Sequence, residues 1–160
     1  MNLPDVLKLA ACILASQAAG AFGALFTDTG PGSWYAGLAK PSFTPPGWVF
    51  GPVWSTLYTL MGISAWLVWK RGSLSTPPVR GALLLFAAQL ALNAAWSGLF
   101  FGLKSTLLGL VGIAALAAAI LATIMAFRPI SSAAAWLLSP YFAWVCFASV
   151  LNFAIWRLNP

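Results

Sequence analysis

Histidine is absent from these 160 residues, and acidic side chains number only two, Asp5 and Asp28. Without histidine there is no imidazole to ligate haem iron or zinc, to act as general base, or to complete a Ser-His-Asp triad. With two separated carboxylates there is no acid–base pair. The two cysteines, Cys12 and Cys146, lie within apolar runs and have neither a disulfide framework nor metal-ligand spacing. Charge of either sign is scarce: 6% of residues are charged, against roughly 25% in soluble domains. So few charges cannot cover a water-facing surface. What is abundant is hydrophobic side chain, 61% of the chain, with nine tryptophans and a mean hydropathy of +0.90. The net charge of +6 comes from cations standing singly at the ends of apolar runs, a pattern of topology signals and headgroup contacts rather than of nucleic-acid binding.

A helix crossing a hydrocarbon core of roughly 30 Å needs about 20 apolar residues. By that measure the chain is a single domain, residues 1–160, with five spans at about 6–26, 48–69, 80–102, 106–127 and 133–156. Charges stand at their edges and not in their interiors. The expected fold is therefore an all-α integral membrane protein, a bundle of five transmembrane helices. The first run is long for the apolar core of a signal peptide, and Asp5 offsets Lys8 before it, so it reads as a span. The first linker combines Pro31, Pro41, Pro45 and Pro46 with Trp34, Tyr35 and Phe43. Such a segment is stiff but neither helix nor sheet, and its aromatics are better placed folded back over the bundle as a lid than in water. Lys8, Lys70, Arg71, Arg80 and Arg128 fall on the N-terminal side and Lys40, Lys104 and Arg157 on the other, which predicts a cytoplasmic N-terminus. A bacterial cell membrane is the expected location, with outer and mitochondrial membranes as alternatives.

Intramembrane polar residues are costly and face the bundle interior. Gln89, Asn93, Trp96 and Phe100 make one stripe of the third span. Tyr141, Trp144, Ala148 and Asn152 make one of the fifth, and Phe50, Trp54, Tyr58 and Met61 one of the second. Two readings are open. In one, amides tie helices together while aromatics fill the core; in the other, the three faces converge on an aromatic-walled cavity with a few hydrogen-bonding groups, the make-up of a small-molecule site. Small-residue rows, Ala87, Ala91 and Ala95 and then Ala94, Gly98 and Gly102 on the third span, and Ala114, Ala118, Ala122 and Ala126 on the fourth, allow close helix approach within one chain or between two copies. The spans carry no intramembrane ionisable group of the kind ion-coupled transporters use.

Three blocks give a family resemblance. They are Trp34-Tyr35-x-x-Leu38-x-Lys40-Pro41-x-Phe43-x-Pro45-Pro46 followed by Phe50 and Val53-Trp54-x-x-x-Tyr58; Gln89-Leu90-x-Leu92-Asn93-x-x-Trp96-x-x-x-Phe100-Phe101; and Pro140-Tyr141-x-x-Trp144-x-x-Phe147-Ala148-x-x-Leu151-Asn152, closing with Trp156-Arg157-x-Asn159. In order and spacing the chain resembles the TspO/MBR family, the translocator, peripheral-type benzodiazepine receptor or tryptophan-rich sensory proteins. The resemblance implies a five-helix bundle, often dimeric, that binds porphyrins such as protoporphyrin IX and haem. It implies ligand-binding roles for Trp54 and Trp144 as pocket tryptophans, Tyr35 and Pro45 in the lid, Gln89 and Asn93 on the third helix, and Ala148 on the fifth. Phe50, Tyr58, Trp96, Phe100 and Tyr141 join this set from the stripes, and Lys40 is the candidate contact for a propionate. Phe153 stands where the animal sterol pattern has a tyrosine, so the resemblance stops short of that pattern.

The expected function is binding of porphyrins or other tetrapyrroles for sensing, regulation or transport. No cofactor or metal is required, and the bilayer, the ligand and a second copy packed through the third helix are the partners. One alternative is a light-dependent porphyrin-degrading enzyme, in which Trp54 and Trp144 would carry the electron transfer. Another is a non-catalytic dimeric membrane organiser or a sterol or lipid binder.

Overall fold

The computed structural model describes residues 3–160, and among them all regular structure is helical. The elements are α1 (Leu3–Ala24), a single turn α2 (Trp34–Gly37), α3 (Gly47–Trp69), α4 (Pro77–Ser97), α5 (Thr106–Phe127), a short α6 (Ser132–Leu137) and α7 (Ser139–Leu158). A π-helical segment, Gly98–Gly102, continues α4. Local chemistry sets the starts. Ser33, Ser105 and Ser131 each accept a backbone N–H with their hydroxyl, capping α2, α5 and α6. Pro77 and Pro78 open α4 where their missing N–H groups cost nothing. Lys104 adopts a left-handed conformation, φ 51°, to reverse the chain in the tight turn before α5.

Four stretches combine the length and apolar composition needed to cross a membrane: Leu3–Ala24, Pro77–Gly102, Thr106–Phe127 and Ser132–Leu158. At 23 residues α3 is as long, with glycines, a proline and hydroxyl residues among its apolar side chains. The outward faces carry large hydrophobics, among them Leu14, Leu84, Val111, Met125 and Phe153, each at least half exposed. A water-soluble chain does not present such a continuous apolar coat. It fits a multi-pass protein in contact with lipid.

The interior is closed by Met61, Val68, Ile120, Phe127 and Tyr141, none of them accessible. Helix α1 lies against α3 and α4, α4 against α5, and α5 against α7. At Gly62 the approach is so close that a Cβ would fall 2.5 Å from the Ile13 Cα, so α1 and α3 meet backbone to backbone. Ser64 donates to the Ala134 carbonyl at 2.7 Å and fastens α3 to α6.

Two elements differ from the spans expected. The fifth run is two helices, because Pro140 brings no N–H to the carbonyl four residues earlier and the chain shortens its bonding at Leu138, whose N–H reaches Ala135 at 3.2 Å. The third run ends in a π turn that carries Phe100 and Phe101. Such turns are uncommon and recur at functional sites.

Candidate functional site

At the end of the bundle where α1 finishes and α3 begins, the five long helices and the first loop surround a cavity of about 710 Å³. Pockets for small molecules run from about 300 to 1,000 Å³. One wall is α3, offering Phe50, Trp54 and Tyr58; another is α7, offering Trp144, Ala148 and Asn152. From α4 and its π continuation come Asn93, Trp96, Phe100 and Phe101. The spacing of these residues at one helical turn along each element brings the three stripes to a common space.

Ring geometry fixes the walls. Trp54 stacks on Tyr58 with centroids 5.4 Å apart, and Trp96 stacks on Phe100 at 5.3 Å. Trp144 stands edge-on to Phe50 at 5.8 Å. Helix α5 contributes bare backbone beneath Phe100: a Cβ on Gly109 would meet the Phe100 ring at 2.4 Å. The Trp96 indole donates to the Gly109 carbonyl at 2.9 Å, which locks this side of the wall.

The floor is polar. The Tyr58 hydroxyl donates to Asn93 Oδ1, and Asn93 Nδ2 donates to the Tyr141 hydroxyl at 2.9 Å. This chain links α3, α4 and α7 and consumes most of the polar capacity of Asn93. The buried Trp144 Nε1 has no hydrogen-bond partner, so a donor on the wall is free for an acceptor.

The first loop packs against the π turn. Trp34 and Tyr35 of α2 contact Phe100 edge-on at 5.5 and 6.2 Å, and Tyr35 also meets Phe101 at 5.4 Å. Burial pushes the Tyr35 hydroxyl above its ordinary value, which keeps it neutral. Lys40 places its ammonium 4.6 Å from the Tyr35 ring and donates to the Ala36 and Leu38 carbonyls at 3.3 and 3.1 Å. Asn159, beyond α7, holds both backbone groups of Ala39: it accepts from Ala39 N and donates to Ala39 O, each at 3.0 Å.

Of the residues singled out from the sequence, Tyr35, Lys40, Pro45, Phe50, Trp54, Tyr58, Asn93, Trp96, Phe100, Trp144 and Ala148 line this cavity. Gln89 and Tyr141 do not. Tyr141 is fully buried behind Asn93, and Gln89 is buried one turn further along α4 with neither amide atom bonded. Sequence reasoning passed over Gly20 and Ala24 of α1, Thr27 just beyond it, and Ile113 and Leu116 of α5. Small and aliphatic residues carry no signal that separates a cavity wall from an ordinary seam.

The model of the TspO/MBR family matches residues 12–157. The chain belongs to the TspO/MBR family. It is similar to the tryptophan-rich protein TspO of Archaeoglobus fulgidus, with 48% identity over 155 residues covering 97% of this chain and 99% of that one. To the human translocator protein it is 47% identical over 126 residues, 79% of this chain and 75% of the human one. A tryptophan-rich sensory protein of Cereibacter sphaeroides is 38% identical over 130 residues, 81% of this chain and 78% of that one. As a TspO/MBR protein it places its indoles unevenly. Trp54, Trp96 and Trp144 face the cavity, while Trp48 and Trp136 point outward.

Proposed function

We propose that this TspO/MBR protein is a five-span bundle whose first loop is a lid, and that it binds porphyrins in the aromatic cavity for sensing, regulation or transport. The observation that carries this reading is the convergence of three indoles, two phenols and three phenylalanines on one space, with few polar groups among them. A flat macrocycle gains from such faces, about 0.5–1.5 kcal/mol per aromatic pair beyond area burial. Lys40 uses two of its three ammonium hydrogens on carbonyls, which leaves one for a propionate. No histidine can ligate haem iron, so affinity comes from stacking and burial. The translocator and sensory names of the relatives agree with a binding role.

The test is a protoporphyrin IX titration followed by tryptophan quenching, wild type beside Trp144→Phe. Saturable quenching weakened about two- to tenfold by the substitution supports the site. Linear quenching that ignores the substitution refutes it. Enzymatic breakdown of bound porphyrin in light is the second reading, favoured by the stacked Trp54–Tyr58 pair as an electron source beside the ligand. Illuminating the same sample separates the two: porphyrin loss faster than in detergent alone, and slowed by Trp54→Phe, marks an enzyme.

A further inference from the structure

Helix α1 is zipped to α3 from Lys8 over Trp69 to Gly20 against Tyr58, and the parted half of the pair is the start of α3, which runs on where α1 ends at Ala24. In the zipped half Gly62 meets the Ile13 backbone. The amide of Gln17 donates to the Ser55 carbonyl at 2.9 Å and to Thr59 Oγ1 at 3.0 Å. At Gly20 the Tyr58 ring fills the place of a side chain, 2.2 Å from where a Cβ would lie. Beyond that point contact ends. Gly51 and Gly47, one and two turns further toward the start of α3, have nothing within 4 Å of a Cβ position.

The parted half is the mouth of the cavity. Its exposed lining residues are Ala24 at the end of α1, Thr27, Thr29 and Ala36 in the loop that follows, and Gly47 and Gly51 on α3. The lining residues from α4, α5 and α7 are all buried or half-buried, so those sides are closed. Pro52 lies in this uncovered stretch. It has no N–H for the Trp48 carbonyl, and the hydroxyls of Ser55 and Thr56 bond back to the Gly51 and Pro52 carbonyls, both devices that bend a helix away from its line.

The opening faces lipid rather than water. Gly51 stands four residues inside α3, about 6 Å from its first residue. The flanking side chains turned outward are Phe22 and Trp48, both more than half exposed. The one cation on the lining, Lys40, belongs to the first loop and is not among the residues that frame the opening. We infer that the ligand enters and leaves sideways from the bilayer through a portal between α1 and α3, framed by Ala24 and Thr27 on one side and Gly47 and Gly51 on the other, with the Gln17 bridge as its sill. This rests on the cavity being the ligand site. It adds that the substrate class is a membrane-dissolved, flat, apolar molecule that passes edge-on, and that Gly47 and Gly51 govern rate rather than affinity.

The experiment is stopped-flow quenching with protoporphyrin IX and the protein in lipid nanodiscs. Wild type is compared with Gly51→Leu, Gly47→Leu and Ala36→Leu. The open space at both glycines accommodates leucine without disturbing the bundle. Association and dissociation slowed together by about tenfold in either glycine variant, with Kd unchanged, is the expected result, because a blocked passage raises one barrier for both directions. Ala36→Leu, on the loop side of the lining, does not slow association. Unchanged rates in both glycine variants, or slowing confined to Ala36→Leu, places the entrance at the loop and overturns the portal. A change in Kd through dissociation alone makes Gly51 a wall residue and also overturns it. If wild type itself does not bind saturably, the site reading fails first, which the same traces reveal separately.

Discussion

Single atoms decide where helices of this protein touch. A methyl group added at Gly62 falls 2.5 Å from a backbone atom of Ile13, which cannot swing aside as a side-chain end could. Gly62→Ala is therefore expected to cost about 1–3 kcal/mol, the range for overpacking, measured as a lowered thermal midpoint in detergent. Gly51→Ala, in open space on the same helix, removes only the backbone freedom of glycine. It should be neutral or stabilising by up to about 1 kcal/mol. The contrast between two glycines eleven positions apart on α3 tests the zipped and parted halves directly. At the same scale Asn93 joins two tyrosines from different helices, so its amide orders the cavity floor more than any apolar neighbour can.

Among the elements, the first loop depends on a single side chain from the far end of the chain. Asn159 supplies an acceptor and a donor to Ala39 and a further bond to Ile155 O at 2.7 Å. Asn159→Ala removes both ties to Ala39. The loop is then expected to open more often, read as faster amide exchange at residues 34–40, while porphyrin dissociation changes little because the ligand leaves between α1 and α3. The bundle's thermal midpoint should move little, since the aromatic contacts of Trp34 and Tyr35 with Phe100 persist. Sequence pattern foresaw an all-helical membrane chain, because apolar runs broken by proline, glycine or charge are a local property. It did not foresee the break at Leu138 or the π turn at Gly98–Gly102. Both depend on how carbonyls find donors once neighbouring helices are in place.

For the whole molecule the bilayer replaces water as the outer solvent, and the exposed Leu, Val, Met and Phe residues follow from that. Trp48 and Trp136 are each about three-quarters exposed, Trp48 at the loop end of the bundle and Trp136 at the other. Such placement suits the headgroup level, where indoles are enriched. The row Ala87, Ala91 and Ala95 also faces outward on α4. Small side chains there let a second copy approach closely. Ala91→Phe is expected to shift a dimer to monomer by native mass spectrometry or light scattering, without changing porphyrin affinity, because Ala91 is remote from the cavity lining.

Composition by itself settled that the chain lives in lipid and that imidazole and paired-carboxylate chemistry are excluded, since these depend on which residues exist and not on where they lie. Periodicity placed the aromatic stripes of α3, α4 and α7, for the same local reason. Which stripe residues share a cavity was a tertiary matter: Asn93 reaches its floor while Gln89, four residues away on the same face, is sealed beneath. The small residues of α1 and the two open glycines of α3 say nothing in the sequence. They gain meaning only where α1 ends short of the first turns of α3, because an opening is defined by the absence of a neighbour, and neighbours are assigned by the fold.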